Sequence, residues 1–139
     1  MVVTEKVRKT EKEWREALTP EEYRLLRQEG TEPAFSGKYW DLKEEGIYAC
    51  AGCGNDLFSS DLKFDSGTGW PSFLKPIVQE AVEEKPDCKL GIRRTAVECG
   101  RCGGHLGHLF DDGPEPTGLR YCMNSGALHF KPAKKKEEE

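Results

Sequence analysis

Six cysteines stand in this 139-residue chain, and their spacing separates two kinds of chemistry. Four form matched pairs, Cys50-Ala-Gly-Cys53 and Cys99-Gly-Arg-Cys102, each followed by a glycine, Gly54 and Gly103. Two intervening residues let both sulfurs of a pair converge on one ion, and a glycine permits the tight turn behind them. Two such pairs complete a tetrahedral four-thiolate shell, which Zn²⁺ favours in structural sites and which leaves no position for water or substrate. One structural zinc per chain, held by Cys50, Cys53, Cys99 and Cys102, is the expectation. The competing readings are disulfides or four unrelated buried thiols. Met1 to Trp14 is charged and lacks the apolar stretch of a signal peptide, which points to a reducing, cytoplasmic setting where paired Cys-x-x-Cys motifs favour metal.

Cys122, in Arg120-Tyr-Cys-Met-Asn124, is left outside both pairs. If this stretch is a strand, alternation puts Arg120, Cys122 and Asn124 on one face and turns Tyr121 and Met123 to the core. A guanidinium beside a thiol favours the thiolate, the nucleophilic form, and lowering a cysteine pKa from ~8.5 to ~7 needs about 2 kcal/mol. The alternative is an inert buried cysteine. His105-Leu-Gly-His108 follows the second pair directly, and either imidazole suits proton donation near neutral pH. Residues three apart on a regular strand face opposite sides, so both histidines reach one site only if the backbone bulges, which Gly107 would permit. Trp70 lies in Ser66-Gly-Thr-Gly-Trp-Pro-Ser-Phe73, a loop on which it is either a pocket wall or a core anchor.

Positioning these groups falls to a mainly β body. From Gly46 onward short apolar or alternating runs are divided by glycine and proline. Ile47 to Cys50, Ile77 to Val82, Leu90 to Cys99 and Ala127 to Phe130 read as strands, and Asp111 to Gly118 as a loop. Ahead of them, Glu11 to Leu18 pairs Trp14 and Leu18 on one helical side. A second helix starts at Thr19 as N-cap, with Pro20 first and Glu21 and Glu22 in the opening turn; Gly30 marks its stop. Thr31 to Trp40 reads as an extended segment wrapping the body, with Trp14 and Trp40 as packing anchors. The charged ends suggest a flexible 1–9, a single domain over 10–132 and a disordered tail over 133–139. With 21 Lys+Arg against 25 Asp+Glu the net charge is −4, which weighs against nucleic-acid binding, and no apolar run approaches a membrane span.

Longer motifs add to this reading. Gly30-Thr-Glu-Pro33, Tyr48 to Cys53, Phe64-Asp-Ser-Gly-Thr-Gly-Trp-Pro-Ser-Phe73, Gly104 to His108, Asp112-Gly-Pro-Glu-Pro-Thr-Gly118 and Arg120 to Ser125 together resemble the methionine-R-sulfoxide reductases of the MsrB type, over about Trp14 to Phe130. The resemblance implies two antiparallel β-sheets in a tent-like or barrel-like arrangement with short N-terminal helices, and an oxidoreductase acting on methionine-R-sulfoxide, free or in oxidised proteins. It implies that Cys122 is the nucleophile and passes through a sulfenic acid. His105, His108 and Asn124 would bind or protonate the sulfoxide oxygen, Arg120 would assist, and Trp70 would receive the substrate methyl. Thioredoxin is the usual reductant of the family. Thr68 stands where many members carry a recycling cysteine, so recycling falls to an external thiol or to Cys88, which is otherwise an incidental loop thiol. The rival readings are a non-catalytic zinc-organised tent-fold binding module, a zinc-ribbon nucleic-acid binder and a thiol oxidoreductase using one Cys-x-x-Cys directly.

Overall fold

The computed structural model describes residues 9–28, 30–87, 94–115 and 117–132. Cys88, residues 1–8 of the expected flexible 1–9, residues 90–93 of the expected strand Leu90 to Cys99 and the expected disordered tail 133–139 lie outside the described residues. Two short helices open the chain, α1 (Glu11–Ala17) and α2 (Pro20–Arg27). Each is launched by a reciprocal capping box, Thr10 with Glu13 and Thr19 with Glu22, which satisfies two orphan donors apiece. Trp14 of the first and Tyr23, Leu25 and Leu26 of the second are buried, and the Arg27 guanidinium lies 4.6 Å over the Trp14 ring.

Among the described residues nine strands follow: β1 (Gly46–Cys50), β2 (Asp56–Ser59), β3 (Lys63–Phe64), β4 (Ser72–Phe73), β5 (Val82–Asp87), β6 (Arg94–Cys99), β7 (His105–Phe110), β8 (Arg120–Met123) and β9 (Leu128–Pro132). They form two antiparallel sheets, a small one ordered β2-β1-β9 and a large one ordered β3-β4-β8-β7-β6-β5. This is the mainly β architecture the sequence implied. Aromatic side chains fill the space between the sheets. Phe58 of the small sheet stacks on Phe73 of the large one at 4.4 Å between centroids, and Tyr48 meets Phe73 edge-on at 5.1 Å.

Three expectations are corrected. Ile77 to Val82 is not a strand: Ile77 and Val78 are exposed, Gln79–Ala81 is a single 3₁₀ turn, and pairing starts at Val82. The strand that follows, Val-Glu-Glu-Lys-Pro-Asp, is charged because it is the edge of the large sheet, where charge and proline discourage further pairing. Ala127 belongs to the 3₁₀ turn Ser125–Ala127 rather than to β9. Thr31 to Trp40 does wrap the body, but through turns. Phe35 takes a left-handed φ of 65° there, and its N–H donates to Gly69 O at 2.8 Å.

Candidate functional site

Cys122 sits on β8 between two partners in register, Ser72 of β4 on one side and His108 of β7 on the other. Directly cross-strand residues share a face, so serine, cysteine and histidine form one row across the sheet. The next row pairs Arg120 with Phe110, and the guanidinium carbon lies 4.3 Å over the phenyl ring. Tyr121 and Met123 point to the core, as alternation requires. A cavity of about 180 Å³ opens over these rows, lined by Trp70, His108, Phe110, Arg120, Cys122 and Asn124, with Thr31 and Thr68 at its sides.

The histidines owe their placement to the expected irregularity. Between β6 and β7, Val97 pairs with Gly107 and Glu98 with His105, which leaves Leu106 as the extra residue of a bulge. One inserted residue brings both imidazoles to one side, their rings 5.2 Å apart and edge-on. His108 lines the cavity, whereas His105 is buried and is not among the residues that line it. Gly107 is obligatory here, because a Cβ would lie 2.1 Å from Cys122 O on the neighbouring strand.

Burial pushes the Cys122 thiol above the ordinary cysteine range. Arg120 and the Thr68 and Ser72 hydroxyls pull it back without cancelling the desolvation. Arg120 does favour the thiolate, as its place beside the thiol implied, but burial outweighs it. Part of the guanidinium is committed elsewhere: Asp112 accepts from its Nε at 2.8 Å and Nη2 at 3.2 Å. The hydroxyls are themselves linked, with Ser72 donating to Ser66 Oγ at 2.8 Å and Ser66 Oγ lying 2.7 Å from Thr68 Oγ1. Sequence reasoning missed Ser66, Ser72, Phe110 and Asp112. Phe110 and Asp112 become visible only once β7 and β8 are paired. Trp70 is fixed as a cavity wall by its Nε1, which donates to Glu32 O at 2.9 Å. Asn124 donates from Nδ2 to Gly30 O and accepts the Glu32 N–H at Oδ1, each at 3.1 Å.

Away from the cavity, Cys50, Cys53, Cys99 and Cys102 come together at the turns after β1 and β6, all four sulfurs within 4.8 Å of one another. A metal–sulfur distance near 2.3 Å puts tetrahedral sulfurs about 3.8 Å apart. The observed Cys50–Cys102 and Cys53–Cys99 separations of 3.7 and 3.6 Å fit that shell. Gly54 and Gly103 take left-handed φ of 81° and 76° to close the two turns. Main-chain N–H groups of Gly52 and Arg101 point at Cys50 and Cys99 sulfur at 3.3 and 3.4 Å, as suits thiolates. The four thiols compete for protons, and hydrogen bonding led by Cys102 drives Cys99 down and Cys50 up. A dication removes that mismatch by ionising all four.

The SelR domain family matches residues 18–132. A protein of Acinetobacter baylyi named peptide methionine sulfoxide reductase MsrB is 57% identical over 134 residues, 96% of each chain. Its namesake in Acinetobacter baumannii is 54% identical over 134 residues, again 96% of each. That of Thiobacillus denitrificans is 57% identical over 124 residues, 89% of this chain and 94% of its own.

Proposed function

The chain belongs to the SelR domain family, and from that premise we propose that it is a peptide methionine-R-sulfoxide reductase in which Cys122 is the nucleophile. The observation that carries this reading is that Cys122, His108, Arg120, Asn124 and Trp70 line a single cavity. The Trp70 and Phe110 rings suit an S-methyl group, and the polar side chains suit the sulfoxide oxygen.

The Cys122 thiolate attacks the sulfoxide sulfur, and an imidazolium, His108 with His105 packed against it, donates a proton as negative charge builds on the oxygen. The oxygen ends on Cys122. The substrate sulfur gains two electrons and leaves as methionine, while Cys122 loses two and becomes a sulfenic acid. Arg120 supports the thiolate that burial disfavours. Two external thiol groups, those of one thioredoxin or another dithiol, then return the sulfenic acid to thiol with release of water and one disulfide. Thr68 cannot form a disulfide, and recycling through Cys88 is the second route. The tetrathiolate cluster holds Zn²⁺ as a structural ion, with all four ligands from protein and no part in the chemical step. We place the enzyme as one domain over 10–132 in the reducing cytoplasm; among the described residues no helix is long and apolar enough to cross a membrane.

Incubation with each methionine sulfoxide epimer and dithiothreitol tests the reading. Methionine should appear from the R epimer only, and Cys122→Ser should abolish its release while keeping the fold and one metal per chain. Turnover by that variant would refute the assignment, and no turnover by the wild type would favour a non-catalytic binding module.

A further inference from the structure

Glu32 has no role in the chemistry above, yet every polar group it owns is used on a part of the site. Its side chain is buried, the residue 4% exposed. The two carboxylate oxygens accept the main-chain N–H groups of Ser125 at 2.9 Å and Gly126 at 3.0 Å. Those donors open the 3₁₀ turn Ser125–Ala127, which follows directly on the strand bearing Cys122. Asn124, the residue placed to cap that turn, makes no cap bond of its own. A carboxylate from the distant wrapping segment caps it instead. Meanwhile the Glu32 main-chain N–H donates to Asn124 Oδ1, and its carbonyl accepts from Trp70 Nε1. Its neighbour Thr31 lines the cavity. The packing is close: a Cβ on Gly37 would fall 2.4 Å from both Glu32 Oε2 and the Ser125 side chain.

A carboxylate is a costly choice for a buried cap unless its oxygens are filled, and charge-assisted N–H bonds hold geometry more firmly than neutral ones. We propose that Glu32 is a positioning residue for sulfoxide reduction: its carboxylate pins residues 30–32 to the turn after Cys122, and its main chain thereby sets the Trp70 indole and the Asn124 carboxamide at the cavity. The proposal rests on the functional reading above. It separates two properties of the site. Glu32 governs how the substrate is held, while thiol reactivity is set by Arg120, Thr68 and Ser72, none of which Glu32 touches in these hydrogen bonds.

Glu32→Gln keeps the size and one acceptor but turns an amide donor toward one of the two N–H groups, of Ser125 or of Gly126, that the carboxylate accepts. The experiment compares wild type, Glu32→Gln and Trp70→Phe, which keeps an aromatic wall and loses the bond to Glu32. The readouts are the indole ¹H–¹⁵N resonance of Trp70, identified by its loss in Trp70→Phe, steady-state reduction of methionine-R-sulfoxide, and the rate of Cys122 alkylation. In Glu32→Gln the indole resonance should move and KM should rise about fivefold or more, the worth of one hydrogen bond, with Cys122 alkylation unchanged. Trp70→Phe should raise KM likewise. An unmoved indole resonance with KM unchanged, whatever the melting temperature does, would overturn the proposal. If Glu32→Gln does not fold, an unchanged KM in Trp70→Phe overturns it and a raised one supports it. A wild type that releases no methionine sinks the functional reading instead, and the Trp70 resonance still decides whether Glu32 holds the indole.

Discussion

At the scale of single residues, the main tension lies in Cys122, whose burial works against the ionised form that the proposed chemistry needs. Three polar neighbours offset part of the desolvation, and the hydroxyls among them are ordered. Ser72 Oγ lies 2.8 Å from Ser66 Oγ and Ser66 Oγ 2.7 Å from Thr68 Oγ1, and the hydroxyls of a chain linked in this way polarise one another. Thr68 at its end faces the cavity shared with Cys122. Because the folded state holds the thiol above its ordinary value, the thiolate is scarce at neutral pH and accumulates as pH rises beyond the range of a free cysteine. The same shift makes the protonated thiol a stabilising feature that is present below the ordinary cysteine pKa and lost as pH climbs through the raised value. Thr68→Val keeps the shape and deletes the hydroxyl, so the pH midpoint of iodoacetamide alkylation at Cys122 should move further up, by about half a unit to one unit, and Thr68→Ser should restore it. A midpoint that stays put would show that the hydroxyl chain does not act on the sulfur. Alternation made Arg120, Cys122 and Asn124 legible as one face. The net direction of the thiol shift was not legible, because it sums burial from elements remote in sequence.

Among the elements, β7 is the one whose backbone irregularity the site requires. A regular β7 would separate its two histidines to opposite faces; the extra Leu106 brings them together, and Gly107 lets β8 pass within contact distance. The His-Leu-Gly-His spacing made this bulge readable, since the proposed chemistry and regular alternation could not both hold. Gly107→Ala should therefore cost more than a glycine-to-alanine change on an exposed strand. A Cβ 2.1 Å from Cys122 O has to push apart the strands carrying His108 and Cys122. Overpacking of this kind costs about 1–3 kcal/mol, or roughly 3–10 °C of melting temperature for a chain of this size. Sulfoxide reduction should fall by a larger factor than stability alone explains, at temperatures where the variant is still folded. An unchanged turnover would mean that the β7–β8 approach is not critical. By contrast, β5 was illegible as a strand: its charged residues satisfy an edge, and the apolar Ile77 and Val78 that suggested a strand lie ahead of it on the surface.

For the whole molecule, the four cysteines do for the two sheets what their aromatic contact does only in part. Cys50 ends β1, the central strand of the small sheet, and Cys99 ends β6 of the large one, with Cys53 and Cys102 completing each turn. An ion held among them is a cross-link between sheets. It also fixes where β7 begins, three residues after Cys102, and so bears on where His108 and Cys122 meet. That the two Cys-x-x-Cys motifs would converge on one point could be read from their repetition and trailing glycines. That they would join two sheets could not, because strand order is decided by pairings between distant segments. Metal analysis should return one zinc per chain. Removing it with a strong chelator under reducing conditions should expose four additional reactive thiols and lower the melting temperature by at least about 10 °C, since loss of even ~3 kcal/mol of ligand-linked stability does that in a domain of this size. Sulfoxide reduction should fall with the near-ultraviolet circular dichroism of the aromatic core, and both should return together when zinc is restored. Metal-free protein that melts at the same temperature would refute the cross-link, and metal-free protein that keeps its fold but not its activity would move the ion from scaffold to chemistry.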